Sequence, residues 1–224
     1  ELALGHIDAL RSTKGDADGR VAYYLESGHL GHHAGLVLRV IHSGSTGRHK
    51  ESNPVLREIQ QLRPAARDSA ADCALSEWLS RWGTYDLPEF ALELAGRAVK
   101  KSAEDEDAAA LVLAGRALMR LSRHEEAWEA LDAAREVQPT RADLHHIRCE
   151  LGGSSGRYQL GVESGLRAIE LRPREPYAYV YLGWCLLGLG RPREALPHLD
   201  VAESRLGGGA RGLRALARAC AGEV

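Results

Sequence analysis

Small residues recur along the second half of this 224-residue chain at a spacing of 34. A repeat of that length confines a chain to stacked copies of one supersecondary unit, because each copy buries its apolar face only against its neighbours. Ala127, Gly161 and Ala195 form one set, Ala134, Ala168 and Ala202 a second, and Pro139 and Pro173 a third. The segments 123–134, 157–168 and 191–202 therefore align, each reading as the second helix of a helical hairpin. The first helix is clearest at Tyr179, Leu182 and Leu186, which share one helical face. Gly183 on that helix lacks a side chain and lets its neighbour come close. Leu111, Ala114, Gly115 and Leu118 repeat the pattern earlier, and Pro139 and Pro173 end the second helices.

Taken together, Tyr179, Leu182, Gly183, Leu186, Ala195, Leu199 and Ala202, with Gly207 where proline is usual, resemble the tetratricopeptide repeat (TPR) family. The pattern is strong over 108–141 and 176–209. Between them the second helix agrees through Tyr158, Gly161, Ala168, Leu171 and Pro173. The first helix there departs: Leu144, Ile147 and Leu151 carry the stripe one residue early, and Gly152-Gly153-Ser154-Ser155 reads as a loose turn in a bent hairpin. Upstream, Leu75, Trp78 and Trp82 suit a first helix and Phe90, Ala91, Leu94, Ala95 and Ala98 a second, ahead of the acidic linker 102–107. Val37, Val40 and Ile41 with Val55, Ile59 and Leu62 suggest a degenerate hairpin around the loop 44–50. The stretches 2–10 and 21–30 suggest two shorter helices.

The resemblance implies an all-α, right-handed superhelical solenoid of antiparallel helix-turn-helix repeats, about thirteen helices without strands, forming one array. Degenerate hairpins occupy 1–71, and TPR-like repeats follow at about 72–107, 108–141, 142–175 and 176–209. A capping helix and tail take 210–224, after the glycines 207–209.

Composition narrows the function classes. The best apolar stretch, 177–189, is glycine-interrupted and shorter than the ~18 residues a membrane helix needs, so no membrane partner is expected. Twenty-nine basic and 31 acidic residues leave a net charge of -2, with little attraction for nucleic acid. Cys73, Cys149, Cys185 and Cys220 form no C-x-x-C pair, which fits a reducing, cytoplasmic setting. Only Lys14, Lys50, Lys100 and Lys101 are lysine, an arginine bias suggesting a GC-rich bacterial genome. The chain opens at Glu1 rather than methionine, which keeps open a piece of a longer protein.

Chemistry-bearing motifs are scarce. No phosphate loop, nucleophile elbow or H-E-x-x-H helix occurs, so neither catalysis nor a cofactor is expected. His124-Glu125-Glu126 reads as a helix start capped by Ser122. His29, His32 and His33 cluster, as do His145, His146 and Cys149, yet neither set offers a fourth ligand, so no metal is expected. Trp78 and Trp82 read as interior, and Trp128 as a convex or hairpin contact.

The resemblance implies that one face of the first helices lines a concave groove. Residue by residue this gives Tyr177, Val180, Tyr181, Trp184 and Leu187, then Val112, Leu113, Arg116 and Arg120, with His145 and His146 between them. Ser76, Glu77 and Ser80 continue the lining upstream. Aromatic residues beside arginines suit another protein, bound as an extended peptide or helix with apolar anchors and an acidic group. The lysine and asparagine with which some family members hold a C-terminal carboxylate are absent from these positions. Three alternatives stay open: a regulatory or substrate-recruiting domain of a larger bacterial enzyme or complex, a small-molecule or metal sensor using His145, His146 and Cys149, and self-association through the groove, which an uncapped apolar end invites. The C-terminal segment covering Tyr177, Tyr181 and Trp184 is a further alternative to a groove.

Overall fold

The computed structural model describes residues 31–45, 49–63, 69–82, 88–102 and 108–222. Eleven helices and no strand occur among the described residues: α1 His32–Ser45, α2 His49–Gln61, α3 Ser69–Trp82, α4 Pro88–Ser102, α5 Ala108–Arg120, α6 His124–Val137, α7 Ala142–Ser154, α8 Tyr158–Leu171, α9 Pro176–Gly188, α10 Pro192–Leu206 and α11 Arg211–Ala221. None is long and apolar enough to cross a membrane. The two short helices expected at 2–10 and 21–30, His29, and positions 103–107 of the acidic linker lie outside the described residues.

The chain divides into two compact units, Glu1–Arg120 and Leu121–Val224. The division falls between α5 and α6, within the segment 108–141. In the first unit α1 pairs with α2 and α3 with α4, and α5 lies on α3 and α4. Val37, Val40, Ile59, Leu75, Trp78 and Leu94 form its core, as their helical spacing predicts. Ser76 is fully buried and its hydroxyl donates to the Ala91 carbonyl at 2.9 Å, tying α3 to α4. That places Ser76 inside the hairpin rather than on a binding face. His33 and Asp72 meet at 3.4 Å in the same interior, so His33 belongs to the core.

The second unit keeps the 34-residue register in three dimensions. Its hairpins are α7 with α8 and α9 with α10, α9 rests on α7 and α8, and α11 rests on α10. The small residues Ala127, Ala134, Ala195 and Ala202 are all fully buried, and Ala168 nearly so. Each short turn ahead of α6, α8 and α10 carries one left-handed residue at the same step: Ser122 at φ 59°, Gly156 at 76° and Gly190 at 70°. Ser122 is therefore the turn residue of its repeat and not the cap expected of it. The N-cap of α6 is Arg123, whose guanidinium holds Glu126 through bonds of 2.7 and 2.5 Å. Arg191 repeats that fork onto Glu194 at 2.7 and 2.6 Å. In the middle repeat leucine replaces the glutamate, and Arg157 reaches Glu125 of the preceding second helix instead.

The 142–175 hairpin is tight, which corrects the loose, bent reading. Gly152, Gly153 and Ser154 are helical, and the turn comes only at Ser155 to Arg157. A Cβ on Gly152 would stand 2.4 Å from Gly161 Cα, so the backbones of α7 and α8 touch there. The large and small partners also exchange sides between repeats. In the last repeat Gly183 on α9 accepts Leu199 from α10, a Cβ on Gly183 falling 2.5 Å from that leucine. One repeat earlier Cys149 takes the place of Gly183 and Gly165 that of Leu199, and a Cβ on Gly165 would meet Cys149 Sγ at 2.8 Å.

Two outcomes follow for stability. Gly152→Ala sets a methyl group against rigid backbone, whereas the Gly183→Ala methyl meets a leucine side chain that can turn. Thermal melting should show Gly152→Ala costing about 2 kcal/mol or more and Gly183→Ala less. Ser122→Gly removes a side chain from a left-handed turn and should raise stability by roughly 0.5 kcal/mol, read from the urea midpoint.

Candidate functional site

Helix α9 carries no Asp, Glu, Lys or Arg, and its residues sort onto two faces. Ala178, Tyr179, Leu182, Gly183, Cys185 and Leu186 are buried against α7, α8 and α10. Tyr177, Tyr181 and Trp184 follow one another at helical spacing on the other face, and all three are solvent-accessible, Tyr177 at 51%. Tyr181 and Trp184 lie with ring centroids 6.4 Å apart, and the His146 ring of α7 meets Tyr181 edge-on at 5.4 Å. The indole of Trp184 lies over Gly153 of α7, where a Cβ would come within 2.6 Å of the ring. These contacts hold the ring planes in place before any ligand arrives, which lowers the ordering cost of binding. Val180 and Leu187 flank this face and are half-buried against the core of the unit. The glycine-rich segment and α11 leave Tyr177 uncovered.

Other residues expected in the lining have different places. His145 is buried, and its Nε2–H donates to the Pro139 carbonyl at 2.7 Å. One repeat later the Tyr179 hydroxyl donates to the Pro173 carbonyl at 2.9 Å. Both pairs are 34 residues apart, so His145 is the counterpart of Tyr179 and closes its interrepeat loop rather than facing a ligand. Val112 and Leu113 are buried, Leu113 beside Ala95. Arg116 is half-buried and Arg120 exposed, both on α5 of the first unit, whereas the aromatic face is built within the second unit alone. Glu77 and Ser80 fall on α3, with their side chains outside the described residues, as are those of Cys73 and Trp82.

Sequence reasoning passed over Arg148. It occupies the position of Leu182 one repeat earlier, is only 4% exposed, and donates to Asp132 at 2.6 Å. Its guanidinium also lies 4.8 Å from the Trp128 ring centroid. Burial pulls its pKa below the ordinary arginine value, with Asp132 opposing that pull. The signal was present: stepping back 34 residues from the stripe of α9 lands on His145, Arg148 and Cys149. Trp128 is itself buried, its indole N–H donating to Ser155 Oγ at 3.2 Å, so it is a contact inside the unit. Cys149 is fully buried. Its hydrogen bond with Cys185, and burial, push its thiol well above the usual range, so it stays protonated at neutral pH.

No protein-family model and no curated protein matches the chain in sequence. Solved structures do match in three dimensions. A thermophilic TPR protein of Thermus thermophilus is 20% identical, covering 84% of this chain and 98% of its own, with a TM-score of 0.63. The MamA protein is 18% identical, covering 79% of this chain and 92% of its own, with a TM-score of 0.56. A MamA structure designated MSR-1 is 19% identical over 83% and 96%, with a TM-score of 0.52. At these identities the likeness is one of fold, and the chain has the all-α TPR solenoid fold implied by its repeats.

His145 and His198 give this unit a pH dependence. Burial lowers both below the ordinary histidine value of 6.5; the Pro139 bond opposes this for His145, and Glu194 opposes it for His198. Above that value both are neutral whether folded or unfolded, and stability is full. As the pH falls through 6.5 the unfolded chain takes up protons first, and stability drops down through the folded pKa values. Urea titrations from about pH 8 to about pH 5 should show this loss, and His145→Tyr, which imitates Tyr179, should reduce it.

Proposed function

We propose that this protein is a non-enzymatic interaction module whose second unit binds a segment of another protein, as an extended peptide or a helix, on the face built by Tyr177, Tyr181 and Trp184. The observation that carries this reading is Tyr177. A tyrosine half open to water, one and two turns from two further aromatic rings already held by α7, is an arrangement that core packing alone does not require. Tyrosine and tryptophan offer large apolar area with few rotors, and they dominate binding hot spots. With no charged side chain on α9 to add long-range attraction, the selected feature of the ligand is an apolar or aromatic anchor. Arg116 and Arg120 are carried by α5 of the other unit and take no part in this reading. The free thiols of Cys149, Cys185 and Cys220 support a reducing, cytoplasmic setting.

Selection from a displayed peptide library, followed by calorimetry on the recovered peptides, tests the reading. Peptides with apolar anchors should bind the parent chain. Tyr177→Ala and Tyr181→Ala should each weaken them by about tenfold, or ~1.4 kcal/mol, with unchanged circular dichroism. Trp184→Ala should cost both binding and some stability, because the indole also fills the slot over Gly153. Peptides held equally by Tyr177→Ala, Tyr181→Ala and the parent would remove this face from the function.

A further inference from the structure

Two thiols meet in the interior of the second unit. Cys149 of α7 and Cys185 of α9 are both fully buried and hydrogen-bonded to each other, and Cys185 Sγ also donates to the Cys149 carbonyl at 3.4 Å. The 34-residue register shows that the fold does not itself ask for sulfur here. The same two positions hold Gly183 and Ala219 one step on, and Gly115 and Leu151 one step back. Room for the pair is made on α8, where Gly161 and Gly165 stand in place of Ala127 and Leu131 on α6 and Ala195 and Leu199 on α10. A Cβ on Gly161 would fall 2.5 Å from Cys185 Sγ, and one on Gly165 2.8 Å from Cys149 Sγ. Two side chains that the other second helices keep are missing from α8, and two sulfurs fill the space.

We propose that Cys149 and Cys185 form a site of reversible oxidation, closed to an intramolecular disulfide by hydrogen peroxide. Their sulfurs are already in hydrogen-bond contact, on helices that pack directly together, so only a short approach separates them from bonding distance. The two roles divide by environment. The Cys149 S–H donates to Cys185, which draws the Cys185 thiol below its ordinary pKa against the opposing pull of burial. Cys185 is therefore the attacking sulfur and Cys149 the resolving one. In the first step the Cys185 thiolate attacks one peroxide oxygen and the O–O bond breaks. Cys185 becomes a sulfenic acid, and the other oxygen leaves as hydroxide and takes up the proton that Cys185 gave. In the second step the Cys149 sulfur attacks Cys185 Sγ, the S–OH bond breaks, and the hydroxide leaves as water with the Cys149 proton. Two thiols lose two electrons and one peroxide gains them, giving one disulfide and two waters. Hydrogen peroxide is small and neutral, so local opening of the unit admits it where a bulky disulfide reagent would be kept out.

The bond ties α7 of the third repeat to α9 of the fourth and closes a long loop of chain between them, which restricts the unfolded state. It also lies close under the aromatic face. Cys185 follows Trp184, and Cys149 stands one helical turn before Gly153, on which the indole rests. Oxidation thus fixes the two helices that carry this face, and the thiol site itself does not depend on what the face binds.

A hydrogen peroxide titration of the folded chain tests it, with free thiols alkylated afterwards in denaturant and the peptides mapped by mass before and after reduction. Exposed Cys220 reports the oxidant dose in the same digest. A peptide linking Cys149 to Cys185 should appear, and the melting temperature should rise by about 5 °C or more, both reversed by dithiothreitol. Cys149→Ala and Cys185→Ala should each abolish the link and the rise. Should either substitution lose helix, the linked peptide of the parent and its reversal carry the test. Cys149 and Cys185 that stay alkylatable at a dose that oxidises Cys220 overturn the proposal. So do a link that forms only in denaturant, a link from either residue to a different cysteine, and a link that leaves the melting temperature unchanged.

Discussion

The backbone contact between Gly152 and Gly161 is what the second unit is arranged around. With no Cβ on either residue, α7 and α8 meet at a separation that any side chain would forbid. The same absence serves α9, since a Cβ on Gly161 would stand 2.5 Å from Cys185 Sγ. One glycine pair therefore sets two interfaces, within the hairpin and to the helix stacked on it. Gly153, the next residue, extends the effect to the surface by admitting the Trp184 ring. The position of the aromatic face is thus a consequence of how far α7 sinks into its neighbours.

Around that contact the repeats solve the same packing problem with different residues. Where α9 is small at Gly183, α10 is large at Leu199; where α7 carries Cys149, α8 is small at Gly165. Total volume is kept while the side that supplies it changes, the kind of exchange cores tolerate. Loop closure varies likewise, a histidine in one repeat and a tyrosine in the next bonding to equivalent proline carbonyls. The arginines ahead of α6 and α10 close forks onto glutamates in solvent, where such pairs contribute little to stability and mainly orient the helix start.

The aromatic face was largely legible, and the rest of the lining was not. Tyr177, Tyr181 and Trp184 were readable because they fall at helical spacing on a helix whose other face is plainly core. His145 was misplaced because its stripe was read one residue early, and only its bond to Pro139 shows it doing the work of Tyr179. Val112 and Leu113 lie on a first helix as expected, yet they are closed over, because which face of α5 is covered depends on α3 and α4.

Period, helix count in the repeats and the small positions were settled by the amino-acid sequence alone, since each is a local rule repeated every 34 residues. Glycine at a helix contact, proline after a second helix and an apolar stripe carry their meaning without knowledge of distant partners. The sense of Gly152 and Gly153 did not, because two glycines read equally well as a loose turn or as a close helix crossing. Only the facing glycine on α8 and the indole on α9 decide between them. The division after Arg120 and the burial of Arg148 beside Trp128 also came from tertiary structure. Each depends on which surfaces meet, and a surface is assembled from segments that the linear chain keeps apart.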